Sequence, residues 1–273
     1  MRLLINTIML EKTRWSDRKI EPDLVDLIPR IAGETGYREV EIWQYHISDK
    51  KLNEVEAVKA AGDENGLRFP IIGAYPQLNL TGSEREEQMG LLKHLLDCAD
   101  LLGVEVLKVF GGRVNTADAT EEDWSLSVAF LQEVLDDADG RGITMPVESH
   151  GGTLGDCVEG MQRLMSEVDR PNLKICYQPY EFESTDKVLA DFNMLQSDVI
   201  HLHLQNRTEN EMSLLEEGQV DYAAYLKHVQ ASGFDDFLCV EFTKDIHQEG
   251  EFDIGLVLGN AEIDRVFVEK VWG

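Results

Sequence analysis

Glutamate, glutamine and histidine stand at the ends of short apolar runs in this chain, and those positions define the chemistry open to it. One run ends Met145-Pro-Val-Glu148-Ser-His150-Gly-Gly152, and the next Leu173-Lys-Ile-Cys-Tyr-Gln178-Pro-Tyr-Glu181. A third reads Val199-Ile-His201-Leu-His203-Leu-Gln-Asn-Arg207 and a fourth Phe237-Leu-Cys-Val-Glu241, while an earlier run ends near Glu41, Trp43 and His46. Side chains alternate along an extended strand, so His201 and His203 share a face. If Glu148 and Glu241 converge to about 5 Å, their repulsion at an effective dielectric of ~20 is roughly 3 kcal/mol, enough that one binds a proton or both bind a cation. Oxygen ligands with one imidazole suit Mg²⁺ or Mn²⁺ best, with Zn²⁺ or Co²⁺ admissible. Singly, each residue has a plainer explanation: a strand-end glutamate is commonly solvated or ion-paired, and a lone histidine is commonly hydrogen-bonded in a core. Their joint occurrence on four consecutive runs argues for a metal site.

Those runs belong to a longer pattern. Apolar, β-branched stretches are expected as strands at Arg2 to Thr7, Glu39 to Trp43, Phe69 to Ala74, Val106 to Phe110, Thr144 to Glu148, Leu173 to Tyr177, Val199 to Leu204 and Phe237 to Glu241. Roughly 25–40 residues separate them, which fits a βα unit of about thirty. Between them lies helical periodicity. Met89, Leu92, Leu95, Leu96, Ala99 and Leu102 fall on one face, as do Val128, Leu131, Val134 and Leu135, and Val158, Met161, Leu164 and Met165. Glycine follows several of these helices, at Gly103, Gly142 and Gly233, where a left-handed cap favours it. Strands alternating with helices require a parallel sheet with right-handed crossovers, and eight of them close most economically into a (β/α)8 TIM barrel. A doubly wound open sheet is the rival, but no GxGxxG follows the first strand. With no linker or low-complexity break, the chain is expected to be a single domain over 1–273. In a barrel, reactive groups belong at the C-terminal strand ends, which is where the residues above stand.

The sequence has 273 residues, 43% hydrophobic and 28% charged, with a formal charge of −27. Such an acidic field repels phosphate backbones and anionic lipid, so neither nucleic acid nor a membrane surface is an expected partner. Cys98, Cys157, Cys176 and Cys239 are widely spaced, pointing to buried free thiols and a cytoplasmic protein. Met1 to Leu10 is read as a first strand, because Asn6, Thr7, Glu11 and Lys12 do not suit a signal peptide. No apolar run approaches the ~18–20 residues of a membrane span. Homo-oligomerisation through the barrel helices is open, although no single stripe marks an interface.

The strand ends, the segment Cys98-Ala-Asp-Leu-Leu-Gly-Val-Glu-Val-Leu-Lys-Val-Phe-Gly-Gly112 and the step Gly218-Gln-Val-Asp-Tyr222 together resemble the xylose isomerase-like TIM barrels over nearly the whole chain. That family includes sugar and sugar-phosphate isomerases and epimerases, hydroxypyruvate isomerase, inosose dehydratase and endonuclease IV. The resemblance implies a divalent metal held by Glu148, Gln178, His203 and Glu241, with His150 matching a histidine that supports the ligands and Arg207 matching a basic residue after the seventh strand. Two positions depart from the family's Asp-x-x-His: Gln178 is a neutral amide that removes one charge from the metal, and Glu181 replaces the histidine, either as an exposed acid or as a carboxylate able to swing in.

The function expected from the residues and the resemblance together is that of a metal-dependent isomerase or epimerase acting on a small sugar, keto-sugar or polyol. The metal chelates a carbonyl and its neighbouring hydroxyl and stabilises an enediolate, while Glu148 and Glu241 exchange the proton as acid and base. His150, Arg207, His46 and Glu181 are candidates for substrate contacts, and Trp15, Trp43 and Tyr75 for the walls. A dehydratase or lyase of the same architecture is the first rival. A metal-free binding protein, with Gln178 marking a dead site, is the second. DNA repair is disfavoured by the charge and by the lack of further early-strand histidines.

Overall fold

The computed structural model describes residues 1–180, 183–248 and 251–273. Eight parallel strands close a barrel: Arg2–Asn6, Glu39–Trp43, Arg68–Gly73, Val106–Phe110, Met145–Glu148, Leu173–Tyr177, Val199–Leu204 and Phe237–Val240. Closure is made by the first strand pairing with the eighth, Arg2 opposite Phe237 through Ile5 opposite Val240. That pairing removes the open-sheet rival. Each expected strand is present, with ends displaced by at most one residue.

Eight helices cover the sheet: α1 (Leu24–Glu34), α2 (Leu52–Asn65), α3 (Gly82–Leu102), α4 (Glu121–Gly140), α5 (Val158–Val168), α6 (Thr185–Leu195), α7 (Tyr222–Ala231) and α8 (Ile254–Trp272). The apolar face expected for α3 is the buried one, at Met89, Leu92, Leu95, Leu96, Ala99 and Leu102. Gly103 caps it with φ +73°, a conformation costly for any residue with a Cβ. Among the described residues no helix is long and apolar enough to cross a membrane. All four cysteines are free, three buried and Cys157 half-buried.

The main apolar core lies between sheet and helices, and a small separate cluster of Leu4, Ile71, Val106, Phe237 and Cys239 fills part of the barrel interior. Above that cluster the interior turns polar. Glu41, Lys108, Glu148, His201 and His203 are all fully buried. Parallel registry brings them level, since Cys239 lies opposite His203 and Glu148 opposite Cys176.

Asp264 of α8 shows how the top of the barrel is tied together. Its carboxylate accepts from Leu215 N–H at 2.7 Å and from the Thr243 hydroxyl at 2.6 Å, joining α8 to the segments after the seventh and eighth strands. Burial pushes this carboxyl up to about 7. A folded-state value above the unfolded one stabilises the protein fully below about pH 4, and the contribution is lost as pH rises to about 7, by about 4 kcal/mol. Asp264→Asn keeps an acceptor and discards the titration. Its stability relative to the parent is therefore expected to rise between pH 4.5 and pH 8 in urea unfolding, and parallel pH profiles would refute the assignment.

Candidate active site at the barrel mouth

His203, near the end of the seventh strand, links two levels of the interior. Its Nε2 lies 3.0 Å from Glu41 Oε2, and His201 Nε2 lies 3.2 Å from the same oxygen. On the other edge of the ring, Nδ1 lies 3.5 Å from Glu148 Oε1 and 3.4 Å from Glu241 Oε2. Two residues of separation on one strand bring both imidazoles to one side, and the rings meet edge to face at 4.7 Å. Glu41 thereby fixes the ring so that Nδ1 faces the two carboxylates of the mouth.

Glu148 has a second partner. Its Oε2 accepts from Lys108 Nζ at 2.5 Å, and that ammonium sits 4.2 Å over the Tyr75 ring and 5.0 Å over Phe110. Gly73 makes the space: a Cβ there would meet Glu41 Oε1 at 2.8 Å and Lys108 Cε at 3.2 Å. Burial pushes the carboxyls of Glu41 and Glu148 up, but the cationic groups beside them outweigh it. His203 and His201 hold Glu41 well below the usual carboxylate range, and Lys108 with His203 does the same for Glu148. Burial likewise pulls His203 down, and the anionic groups around it, Cys176, Glu241, Glu41 and Glu148, more than reverse this, so the ring is held well above its ordinary value.

Two groups of ligand atoms lie within 4.8 Å of one another: Glu148, His203 and Glu241 at the mouth, and Glu41, His201, His203 and Cys239 beneath. The upper group fits a cation better. Glu148 Oε1, His203 Nδ1 and Gln178 Oε1 are buried without a hydrogen-bond partner, as atoms awaiting a metal would be. The lower group also holds buried atoms without a hydrogen-bond partner, Glu41 Oε1 and both His201 ring nitrogens, but its Glu41 Oε2 is already bonded to His203 Nε2.

Glu241 of the upper group lines a cavity of about 190 Å³. Trp15, Trp43, Tyr75 and Phe110 wall it, Glu241 reaches it from the floor, and Arg14, Arg18, Arg113 and His150 lie around it. Trp15, Trp43 and Tyr75, the candidates for substrate walls, are among the residues lining this cavity. His150 stacks on Phe110 at 4.6 Å and directs Nδ1 at the Gly151 carbonyl, 2.6 Å away. Gln178 is held at the rim by its backbone, which exchanges hydrogen bonds with the Ser149 hydroxyl. His46 is elsewhere: it is buried 3.6 Å from Glu11, edge-on to Trp43, and burial pushes it down to about 4, leaving it neutral. Arg207 lies on a two-residue strand, Asn206–Arg207, and lines a neighbouring cleft with Tyr180 and Glu183. Glu181 falls outside the described residues.

Sequence reasoning passed over Lys108, Arg14, Arg18 and Arg113. Only Lys108 carried a signal, as the single charge in the apolar run Val106-Leu-Lys-Val-Phe110.

The profile of a family described as "xylose isomerase-like TIM barrel" matches residues 29–256. A 3-dehydroshikimate dehydratase of Bacillus anthracis is 23% identical over 201 residues, 72% of this chain and 71% of that protein. An inosose dehydratase of Geobacillus thermodenitrificans (strain NG80-2) is 25% identical over 242 residues, 77% of this chain and 80% of that one. Among solved structures, the IOLI protein with a bound zinc atom superposes with a TM-score of 0.78 at 17% identity, covering 100% of this chain and 99% of its own.

Removing one member of a buried ion pair strands the other charge and costs about 3–5 kcal/mol. Lys108→Met is expected to lower unfolding stability by that amount, and adding Glu148→Gln should recover most of it. A single variant that loses less than about 1 kcal/mol in urea melts would contradict the electrostatic account of this centre.

Proposed function

Because the chain belongs to the xylose isomerase-like TIM barrel family, we propose that it is a divalent-metal-dependent enzyme that moves a proton on the carbon beside a carbonyl in a small polyhydroxylated substrate, as an isomerase or epimerase. The observation that carries this reading is the convergence of Glu148, His203 and Glu241, the last of which lines the mouth cavity. Glu148, His203 and Glu241 would hold the ion, with the amide oxygen of Gln178 as fourth donor; Mn²⁺ or Mg²⁺ suits the oxygens, and the zinc of the IOLI protein keeps Zn²⁺ in view. Bound there, a divalent cation acidifies the carbon-bound hydrogen and offsets negative charge that develops on the carbonyl oxygen.

The side chains divide the remaining work. Glu241 lines the cavity, only 4% exposed, and is placed to take the proton. Glu148, ion-paired with Lys108, is the carboxylate assigned to return the proton. Glu41 holds the His203 ring in one orientation. Trp15, Trp43, Tyr75 and Phe110 restrict water at the reacting carbon.

A second reading, loss of a β-hydroxyl as water after the same proton abstraction, is favoured by the two curated relatives, both named as dehydratases. Incubation with Mn²⁺ and a panel of ketoses and inososes in deuterated water separates the two. Deuterium gained without loss of water supports isomerisation or epimerisation, a product lighter by one water supports dehydration, and neither exchange nor a dehydrated product, with or without chelator, overturns both. Glu241→Gln and Glu148→Gln should each reduce turnover at least about 10²-fold. Unchanged turnover in both would remove the carboxylates from the mechanism.

Calorimetric titration with Mn²⁺ tests the ligand set directly. Glu41→Gln should weaken binding about 10–100-fold by freeing the His203 ring. Gln178→Asp should strengthen it by restoring a charge to the donors. Unaltered affinity in both variants would place the metal elsewhere.

A further inference from the structure

The arginines of this molecule fall into two populations. Arg2, Arg68, Arg85, Arg141, Arg163 and Arg170, among others, each place a guanidinium nitrogen 2.6–2.8 Å from a side-chain carboxylate. In a chain with 52 acidic residues that is the expected condition. Arg14, Arg18 and Arg113, like Arg38, have no carboxylate within 4.0 Å among the described residues, and these three line the mouth cavity.

Each is held by neutral groups. Arg14 is only 2% exposed; it donates to the carbonyls of Glu11 and Ile246, lies 4.6 Å over Trp15, and keeps a buried Nε with no partner. Burial lowers this guanidinium to about 10, with the nearby Glu11 opposing the shift. Arg18 donates to the Tyr45 hydroxyl at 2.9 Å from a left-handed backbone, φ 54°, which a side-chain-bearing residue adopts only at a cost. Arg113 follows Gly111 and Gly112 and donates to the Tyr75 carbonyl at 3.3 Å. Three permanent cations thus face one lining carboxylate, Glu241, in a strongly acidic protein.

We propose that this rim is an anion-recognition site and that the substrate carries a carboxylate group, received by Arg14, Arg18 and Arg113 while its carbonyl end faces Glu241. The inference rests on the reading of this cavity as the active site. A planar carboxylate matches the guanidinium fork with two parallel hydrogen bonds. The cavity, at about 190 Å³, has room for a compact ring or short chain with one small anionic group.

Calorimetric binding to the full-length, Mn²⁺-loaded protein tests this without requiring turnover. The probes are matched sets: galacturonate, galactose and galactose 6-phosphate, with quinate against myo-inositol. At least one carboxylate should bind tenfold or more tightly than its neutral partner, and the preference should shrink as salt is raised. Arg18→Gln and Arg113→Gln should each cut the preference severalfold while leaving weak binding of the neutral compound in place. Arg14 is packed into the structure, so it is tested as Arg14→Lys, with melting temperature measured in parallel. Neutral compounds binding as tightly as the acids, an unchanged preference in the arginine variants, or the phosphate binding tightest would each overturn the proposal. Glu241→Gln separates the two readings: it abolishes the proposed chemistry but should retain the carboxylate preference.

Discussion

The hydrogen bond between Glu41 and His203 anchors the centre, because it decides which way a fully buried imidazole faces. With Nε2 committed to Glu41, Nδ1 points at Glu148 and Glu241. A carboxylate stripped of water is tolerated only beside a cation or a strong donor, since desolvating an unpaired charge costs several kcal/mol. Glu41 meets that condition with two histidines and Glu148 with Lys108. Break one link and the others lose their partners in turn, so the site stands or falls as a network.

A barrel can carry such a network because its two interiors do different work. Helix-on-sheet packing supplies the large apolar core, leaving the lumen free to hold charge. Parallel registry then sets each polar side chain at a defined height, and alternation sends it inward. Gly73 illustrates the tolerance involved. A side chain at that point on the third strand would press on the ends of both Glu41 and Lys108 and force them to shift.

The strands were legible because apolar runs with period two, separated by helical periodicity, admit few other arrangements. The same logic exposed Glu148, His203 and Glu241, since barrel strand ends are few and chemistry gathers there. Lys108 escaped because an apolar strand reads as core, and one lysine within it looks like an exception rather than a partner for a glutamate on the next strand. Arg14 and Arg18 lie between the first strand and α1, where no periodicity assigns a direction, so their meeting with Arg113 over Tyr45, Tyr75 and Trp15 required the fold. His46 and Arg207 failed to reach the mouth cavity for a related reason. Each lies past its strand, in a short turn or hairpin that turned it aside.

Gln178 gains meaning beside Lys108. A neutral amide withdraws one negative charge from the donors that the family resemblance assigns to the metal, and Lys108 adds a positive charge against Glu148. Both features make the floor of the mouth less anionic than two carboxylates and an aspartate alone would be. The rim, with three guanidinium groups that have no carboxylate partner among the described residues, moves the local potential the same way in a strongly acidic chain. Field lines in a low-dielectric cleft concentrate on such a patch. Under the proposed reading, a ligand with oxygen donors at one end and a negative charge at the other would be turned to enter carbonyl first. One electrostatic gradient would then serve both capture and alignment, which a uniformly acidic cavity could not do.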